Sequence, residues 1–263
     1  MSEESDLSDV GDFYSREASH YDADRWRGPI GEHVHETYLD HVRSLLEEVE
    51  GESCLEVGCG TGRLTLELAA RGLRVTALDI SDEMLEMTRR KLDAHHLLER
   101  VELRKQDVRD LQKDSDEQFD LVCAFNVLNH VPNHERALDA MVNQLRTGGT
   151  LLLGFPSLYS LYLPYAALVN SRGRSLRKAV YTRWLSAGAI RRYLRNFNVH
   201  AEEERAMYHA PLIPGAVAER TAAYVLRRLN QAADRPPVAR FATLKIIAFR
   251  KRASAGAEGG ARA

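Results

Sequence analysis

The sequence predicts an α/β protein, a mostly parallel sheet with helices on both faces. Three observations carry that reading. Strand-like and helix-like stretches alternate between about residues 51 and 155, and such alternation builds a parallel sheet covered on both sides. The run Ser53–Val57 breaks at Gly58, Cys59, Gly60, Thr61 and Gly62, and a helical pattern starts at Arg63. A strand that ends in alternating glycines before a helix is a nucleotide-binding turn. Glycine permits positive φ and puts no Cβ between backbone and ligand, and the helix start offers free N–H groups. Finally, two later strands end on carboxylates, Asp79 and Asp107, where ligands of open α/β sheets bind.

The elements follow in order. Residues 1–11 are polar and acidic and read as a disordered tail. Residues 12–20 suggest a short helix, Gly28-Pro29 a break. Val34, Tyr38, Val42, Leu45 and Leu46 then recur at helical spacing over 30–49. After the first strand and its glycine turn, 64–71 is helix, ended by Gly72. The second strand, 73–79, closes on Asp79. Ser81 is an N-cap candidate with acids behind it, for a helix reaching about His95. The third strand, 101–107, closes on Asp107; the fourth is Phe119–Phe125. Residues 133–145 are helical, and Gly148-Gly149 turns into a fifth strand, 150–155. The alternation then lapses. Helix over 182–196, a sixth strand over 199–206, helix over 214–233 and a seventh strand over 241–249 complete the count. The lost period leaves room for an antiparallel edge.

A chain of 263 residues is ample for one core, and a net charge of −2 gives no bulk reason to expect nucleic acid. Cys54, Cys59 and Cys123 form no C-x-x-C, which argues against a zinc or redox motif; they read as core thiols. The first residues are acidic rather than apolar, unlike a signal peptide, and no apolar run approaches the ~18–20 residues of a membrane span. The expectation is a soluble, cytoplasmic protein.

The glycine spacing narrows the ligand. Dinucleotide enzymes favour G-x-G-x-x-G, whereas this chain has G-x-G-x-G preceded by Glu56. A carboxylate there repels a pyrophosphate and suits an ammonium or sulfonium. Glu56–Gly62 resembles motif I of the class I S-adenosylmethionine-dependent methyltransferases. The resemblance implies a seven-stranded sheet with its last strand reversed and a helical insertion after strand five. It implies S-adenosylmethionine as cofactor, with Gly58, Cys59, Gly60 and Gly62 wrapping it and Glu56 facing its ammonium. Asp79 then takes the ribose hydroxyls, and Asp107 accepts from the adenine amine between Ile80 and Val108. Arg63, at the helix start, reads as a solvated surface residue.

Residues 119–132, ending Asn126-Val127-Leu128-Asn129-His130-Val131-Pro132, look like the fourth-strand motif of the same family, especially its ubiquinone-pathway O-methyltransferases. Phe125 then touches the methionyl part of the cofactor. Those enzymes have Glu where this chain has Asn126 and Asn129, and we read their two carboxylates plus the His as a hard-cation site. Neutral amides bind Mg²⁺ much less well, so the chain departs there and no metal is expected. His130 lies just past strand four and is the candidate base, or else a packed helix-entry residue. Tyr14, Tyr21 and Trp26 precede the sheet; related enzymes fold such a segment over the cofactor as a lid, and Tyr14 and Tyr21 are the next candidates for a base.

Residues 171–195 are rich in arginine, without an acid, and follow the apolar stretch 161–169. Such a pair can rest on an anionic membrane, hold an anionic or lipid-linked acceptor, or simply cap the pocket. The domain expectation is one methyltransferase domain over 12–252: a helical lid (12–50), a cofactor core (51–155), an acceptor-side cap (156–240) and the last strand (241–252), then a disordered tail (253–263). The expected activity is methyl transfer to a small-molecule or lipid- or glycan-linked acceptor with an O-, N- or C-nucleophile. A non-catalytic binding module and a dinucleotide oxidoreductase are the alternatives.

Overall fold

The computed structural model describes residues 3–111, 117–160, 182–208 and 219–253, and of residues 3–9 the backbone alone. Seven strands form one sheet: β1 Ser53–Val57, β2 Arg74–Asp79, β3 Val101–Lys105, β4 Phe119–Phe125, β5 Leu145–Pro156, β6 Val199–Met207 and β7 Leu244–Lys251. Their order is β3-β2-β1-β4-β5-β7-β6. β1 to β5 pair in parallel, and β7 runs antiparallel to both β5 and β6. Strand order reverses between β1 and β4, and at such a switch point the carboxyl ends of the strands open a crevice.

Among the described residues the helices are α1 Glu3–Glu17, α2 Tyr21–Trp26, α3 Gly28–Leu46, α4 Arg63–Ala70, α5 Asp82–Ala94, α6 His134–Asn143, α7 Ala187–Arg195 and α8 Glu219–Asn230. Side chains alternate across β1, so its two faces feed two cores. Cys54 packs with Val42 of α3, Leu68 of α4, Leu92 of α5 and Leu226 of α8. Leu55 and Val57 pack on the other side with Met141 of α6 and Leu194 of α7. Both faces are dry, which is why β1 and β4 read as near-continuous apolar runs.

Several boundaries differ from expectation. Residues 3–11 belong to α1 rather than to a disordered tail: acidic residues suit a helix start, and Val10 is buried. Gly28 and Pro29 begin α3 instead of breaking it, Pro being tolerated in a helix's first turn. Leu185 bridges Ser157, and Ser186 caps α7, so that helix starts later than the pattern suggested. β5 begins at Leu145 and passes through an irregularity around Gly148, whose φ is +79°. β7 starts at Leu244, because Val238–Phe241 forms a 3-10 turn. The apolar stretch 161–169, most of the basic stretch and the tail from 254 lie outside the described residues. Among the described residues no helix is long and apolar enough to cross a membrane.

Candidate active site

A cavity of about 1180 Å³ opens at the carboxyl ends of β1, β2 and β4 and is roofed by α1, α2 and the start of α3. Its floor is the glycine turn. Gly58, Gly60 and Gly62 have φ of +69°, +55° and +77°, values that L side chains rarely adopt. A Cβ on Gly60 would meet no atom within 4 Å, so its backbone lies bare to the cavity. Gly58 and Cys59 also line it, whereas Gly62 does not: it is the N-cap of α4 and packs against Thr88.

Three carboxylates surround the turn. Glu56 is 3% exposed, and its Oε2 has no hydrogen-bond partner among the described residues. Burial, with Asp79 nearby, pushes its pKa up to about 8. Asp79 accepts from Gly60 N through Oδ2 (2.8 Å) and from Ser81 N through Oδ1 (3.0 Å), so it shapes the turn as well as facing the cavity. Burial raises its pKa, and those backbone donors oppose the rise. Asp107 lines the cavity with Val108 and Ile80 but is bound by Arg109: Nε to Oδ1 at 3.1 Å, Nη2 to Oδ2 at 2.9 Å. The carboxylate expected at this place is therefore already engaged: Oδ1 also accepts from Arg109 N at 2.8 Å and Oδ2 from Arg109 Nε at 3.2 Å. Phe125 lines the cavity edge-on to Tyr38, ring centroids 5.3 Å apart.

The roof is held at several points. Asp22 of α2 accepts from Thr61 Oγ1 of the glycine turn (2.7 Å) and pairs with Lys91 of α5. Ser15 Oγ donates to Ser81 Oγ at 2.9 Å. Tyr14 Oη and His130 Nε2 are 2.9 Å apart, and Thr182 Oγ1 is 3.5 Å from His130 Nδ1. Burial, then the neighbouring Tyr21, raises the Tyr14 phenol, so it stays protonated. The Tyr14 and Tyr21 ring centroids lie 6.1 Å apart with their planes tilted by 56°, and the Arg25 guanidinium is 4.2 Å from the Tyr21 ring centroid.

Arg63 is not the solvated residue its helix-start position suggested. Its guanidinium lies 3.7 Å from the Trp26 ring centroid and contacts His35 Nδ1, and it lines the cavity. Burial and Arg63 together lower His35 to about 4. Sequence reasoning also missed Thr61 and Asp22 as a latch and Trp184 as a wall; these contacts join distant segments, and no local pattern marks them. Cys54 and Cys123 are buried free thiols, Sγ atoms 3.9 Å apart.

Comparisons with known proteins agree with this architecture. A family model described as a methyltransferase domain matches residues 55–153. A ubiquinone biosynthesis O-methyltransferase of Xanthomonas euvesicatoria pv. vesicatoria is 30% identical over 200 residues, covering 73% of this chain and 80% of that protein. One from Dechloromonas aromatica is 29% identical over 204 residues, covering 72% and 84%. Among solved structures, magnesium protoporphyrin IX methyltransferase from Synechocystis PCC 6803 with bound S-adenosylhomocysteine superposes with a TM-score of 0.66 at 16% identity, covering 93% of this chain and 99% of that one. The N-methyltransferase NodS from Bradyrhizobium japonicum, in complex with the same ligand, gives 0.60 at 18% identity, covering 92% and 98%.

Proposed function

Because the chain belongs to the class I S-adenosylmethionine-dependent methyltransferases, we propose that it methylates a small-molecule acceptor bound between the glycine turn and the Tyr14–His130 pair. The single observation that carries the chemistry is the 2.9 Å contact between Tyr14 Oη and His130 Nε2 at the cavity wall.

The residues fit the cofactor. The orphaned Glu56 Oε2 suits an ammonium, the bare backbone at Gly60 admits a close ligand, and Asp79 presents a carboxylate to ribose hydroxyls. Ile80 and Val108 would flank the adenine, Asp107 its amine, and Phe125 the methionyl chain. When bound, S-adenosylmethionine supplies a methyl group on a positively charged sulfur. The chain's own groups align the acceptor and dispose of its proton. Tyr14 accepts the acceptor's proton as its own passes to His130 Nε2, leaving an imidazolium. Thr182 Oγ1 lies 3.5 Å from the other ring nitrogen, where it can accept from an Nδ1–H.

The acceptor is read as a molecule whose remote part is anionic or lipid-linked, a reading that Arg25 and Arg27 in the cavity lining support for an anion. The enzyme is read as cytoplasmic, and most of the basic stretch lies outside the described residues. No metal is assigned to the step: Asn126 and Asn129 are neutral amides, and EDTA is expected to leave turnover unchanged.

The test is labelled-methyl transfer by the parent, His130→Ala and Tyr14→Phe. His130→Ala is expected to lose ~10²–10⁴ in turnover, and Tyr14→Phe to fall with it, while calorimetric affinity for S-adenosylhomocysteine holds. Parent-like turnover in both variants would overturn the assignment.

A further inference from the structure

Arg63 is the first residue of α4, and it breaks the local rule for that place. A helix start favours carboxylates, because its free N–H groups and the helix dipole make it positive. The first turn of α4 has no acid and carries a cation instead. Among the described residues no carboxylate forms an ion pair with that cation. Its hydrogen-bond contact is His35 Nδ1, and His35, lowered to about 4, is a neutral acceptor at neutral pH. Asp22 is a carboxylate whose charge reaches Arg63, but its oxygens are engaged, Oδ1 by Thr61 and Oδ2 by Lys91. Burial lowers the Arg63 pKa, as it does for a charge held away from water. A guanidinium placed so is costly unless something supplies the missing anion.

The group is fixed in orientation. It lies 3.7 Å from the Trp26 ring centroid, and Arg63, Trp26 and Tyr38 all line the cavity. Its neighbours place it at the methionyl end. The Tyr38 ring centroid is 5.9 Å away, and Tyr38 meets Phe125, the residue read against the methionyl chain, edge-on at 5.3 Å. Burial raises the Tyr38 phenol; Glu56 raises it further and Arg63 opposes the rise, so both charges stand near that ring.

The amino-acid end of S-adenosylmethionine carries an ammonium and a carboxylate. Glu56 answers the ammonium in the reading above, and nothing assigned there answers the carboxylate. Resting on that cofactor reading, we infer that the Arg63 guanidinium holds the cofactor's carboxylate, so that the protein selects ligands with the whole zwitterionic amino-acid group. A planar fork of N–H donors matches a carboxylate with two parallel hydrogen bonds. Glu56 comes just before Gly58 and Arg63 just after Gly62, so the loop that wraps the cofactor reads both of its end charges. Trp26 belongs to α2, and the carboxylate's partner is thereby backed by the roof.

The experiment is calorimetry on the full chain with three ligands. They are S-adenosylhomocysteine, its decarboxylated analogue, which keeps the ammonium, and 5′-methylthioadenosine, which has neither charge. The parent is expected to bind S-adenosylhomocysteine roughly ten- to a hundredfold more tightly than the decarboxylated analogue. Arg63→Met keeps an unbranched stem against Trp26 and removes the charge. It should lose that preference while binding the decarboxylated analogue and 5′-methylthioadenosine within about twofold of the parent. A residue that merely supports the fold would weaken all three ligands together, and that result overturns the inference. So does a parent that binds S-adenosylhomocysteine and its decarboxylated analogue alike, or a preference that survives in Arg63→Met and collapses in Arg27→Met. Each of these leaves the methyltransferase reading standing, whereas a parent that binds none of the three overturns the cofactor site as well. Should Arg63→Met fail to fold, Arg63→Lys, which keeps the charge and loses the fork, is read by the same ratio and should narrow it; an undiminished ratio overturns the inference.

Discussion

Glu56 is a carboxyl group held where water cannot reach it, and that sets its titration. With a folded pKa of about 8 against an unfolded value of 4.5, it keeps its proton in the ligand-free protein at neutral pH. An ammonium beside it favours the ionised form. Cofactor binding should therefore release a proton, and S-adenosylhomocysteine affinity should climb with pH until about 8 and then level. The stability effect has the opposite sign. The folded state holds a proton that the unfolded state loses, so ligand-free stability is full below the unfolded value and falls as pH rises through the folded one. Glu56→Gln should flatten both profiles; calorimetry in buffers of different ionisation enthalpy, with melts across the same pH range, checks them. At Asp79, removal of the carboxylate frees the N–H groups of Gly60 and Ser81 and, on the proposed reading, strips the ribose of a charged acceptor. A hydrogen bond to a charged group is worth roughly 1.5–3 kcal/mol, so Asp79→Ala should weaken S-adenosylhomocysteine binding about tenfold or more. An unchanged dissociation constant in a folded variant would remove Asp79 from the site.

At the scale of elements, α1 and α2 are a roof pinned to the core rather than a loose arm. The pin with the largest charge component is Asp22, which joins the glycine turn through Thr61 and α5 through Lys91. Asp22→Asn keeps the shape and removes the charge. Asp22 and its charged partner Lys91 are partly exposed, so screening limits the loss, and S-adenosylhomocysteine should dissociate faster by no more than about tenfold. Stopped-flow release reads this directly; an unaltered rate would mean that the roof opens elsewhere. The roof also shows what a sequence hides. β1, β2 and β4 were legible because both of their faces are buried, so apolar runs, glycines and terminal acids all mark the same borders. The glycine turn was legible for the same reason. The helix over residues 3–11 was not, because its segment is acidic with few apolar residues to set a period. Nor was the inward place of Arg63: only the arrival of Trp26 from another element makes that guanidinium a wall of the cavity.

For the whole molecule, the sheet divides its labour between its two ends. The carboxyl ends of the strands carry the cavity; the amino ends carry a separate polar anchor with no part in it. There Asp120 at the start of β4 accepts from Glu52 N (2.7 Å), Ser53 N (2.9 Å) and Ser53 Oγ (2.9 Å), and pairs with Arg146. Gly51 must be glycine for this approach: its φ is +117°, and a Cβ would come within 2.2 Å of the Asp120 carboxyl carbon. Burial alone would raise the Asp120 pKa, but the Ser53 and Glu52 donors and the Arg146 charge outweigh it and hold it low. A depressed carboxylate contributes stability above its unfolded pKa and loses it as pH falls through the folded one. Asp120→Ala should therefore cost about 2–4 kcal/mol at neutral pH and make acid unfolding less steep. S-adenosylhomocysteine affinity of the folded fraction should stay within about twofold of the parent, since the anchor and the cavity lie at opposite ends of the same strands. Urea melts at several pH values, run beside calorimetry below the melting transition, separate the two effects. If affinity fell in step with stability, the ends of the sheet would be coupled, and the cofactor site would depend on strand register set at the far edge.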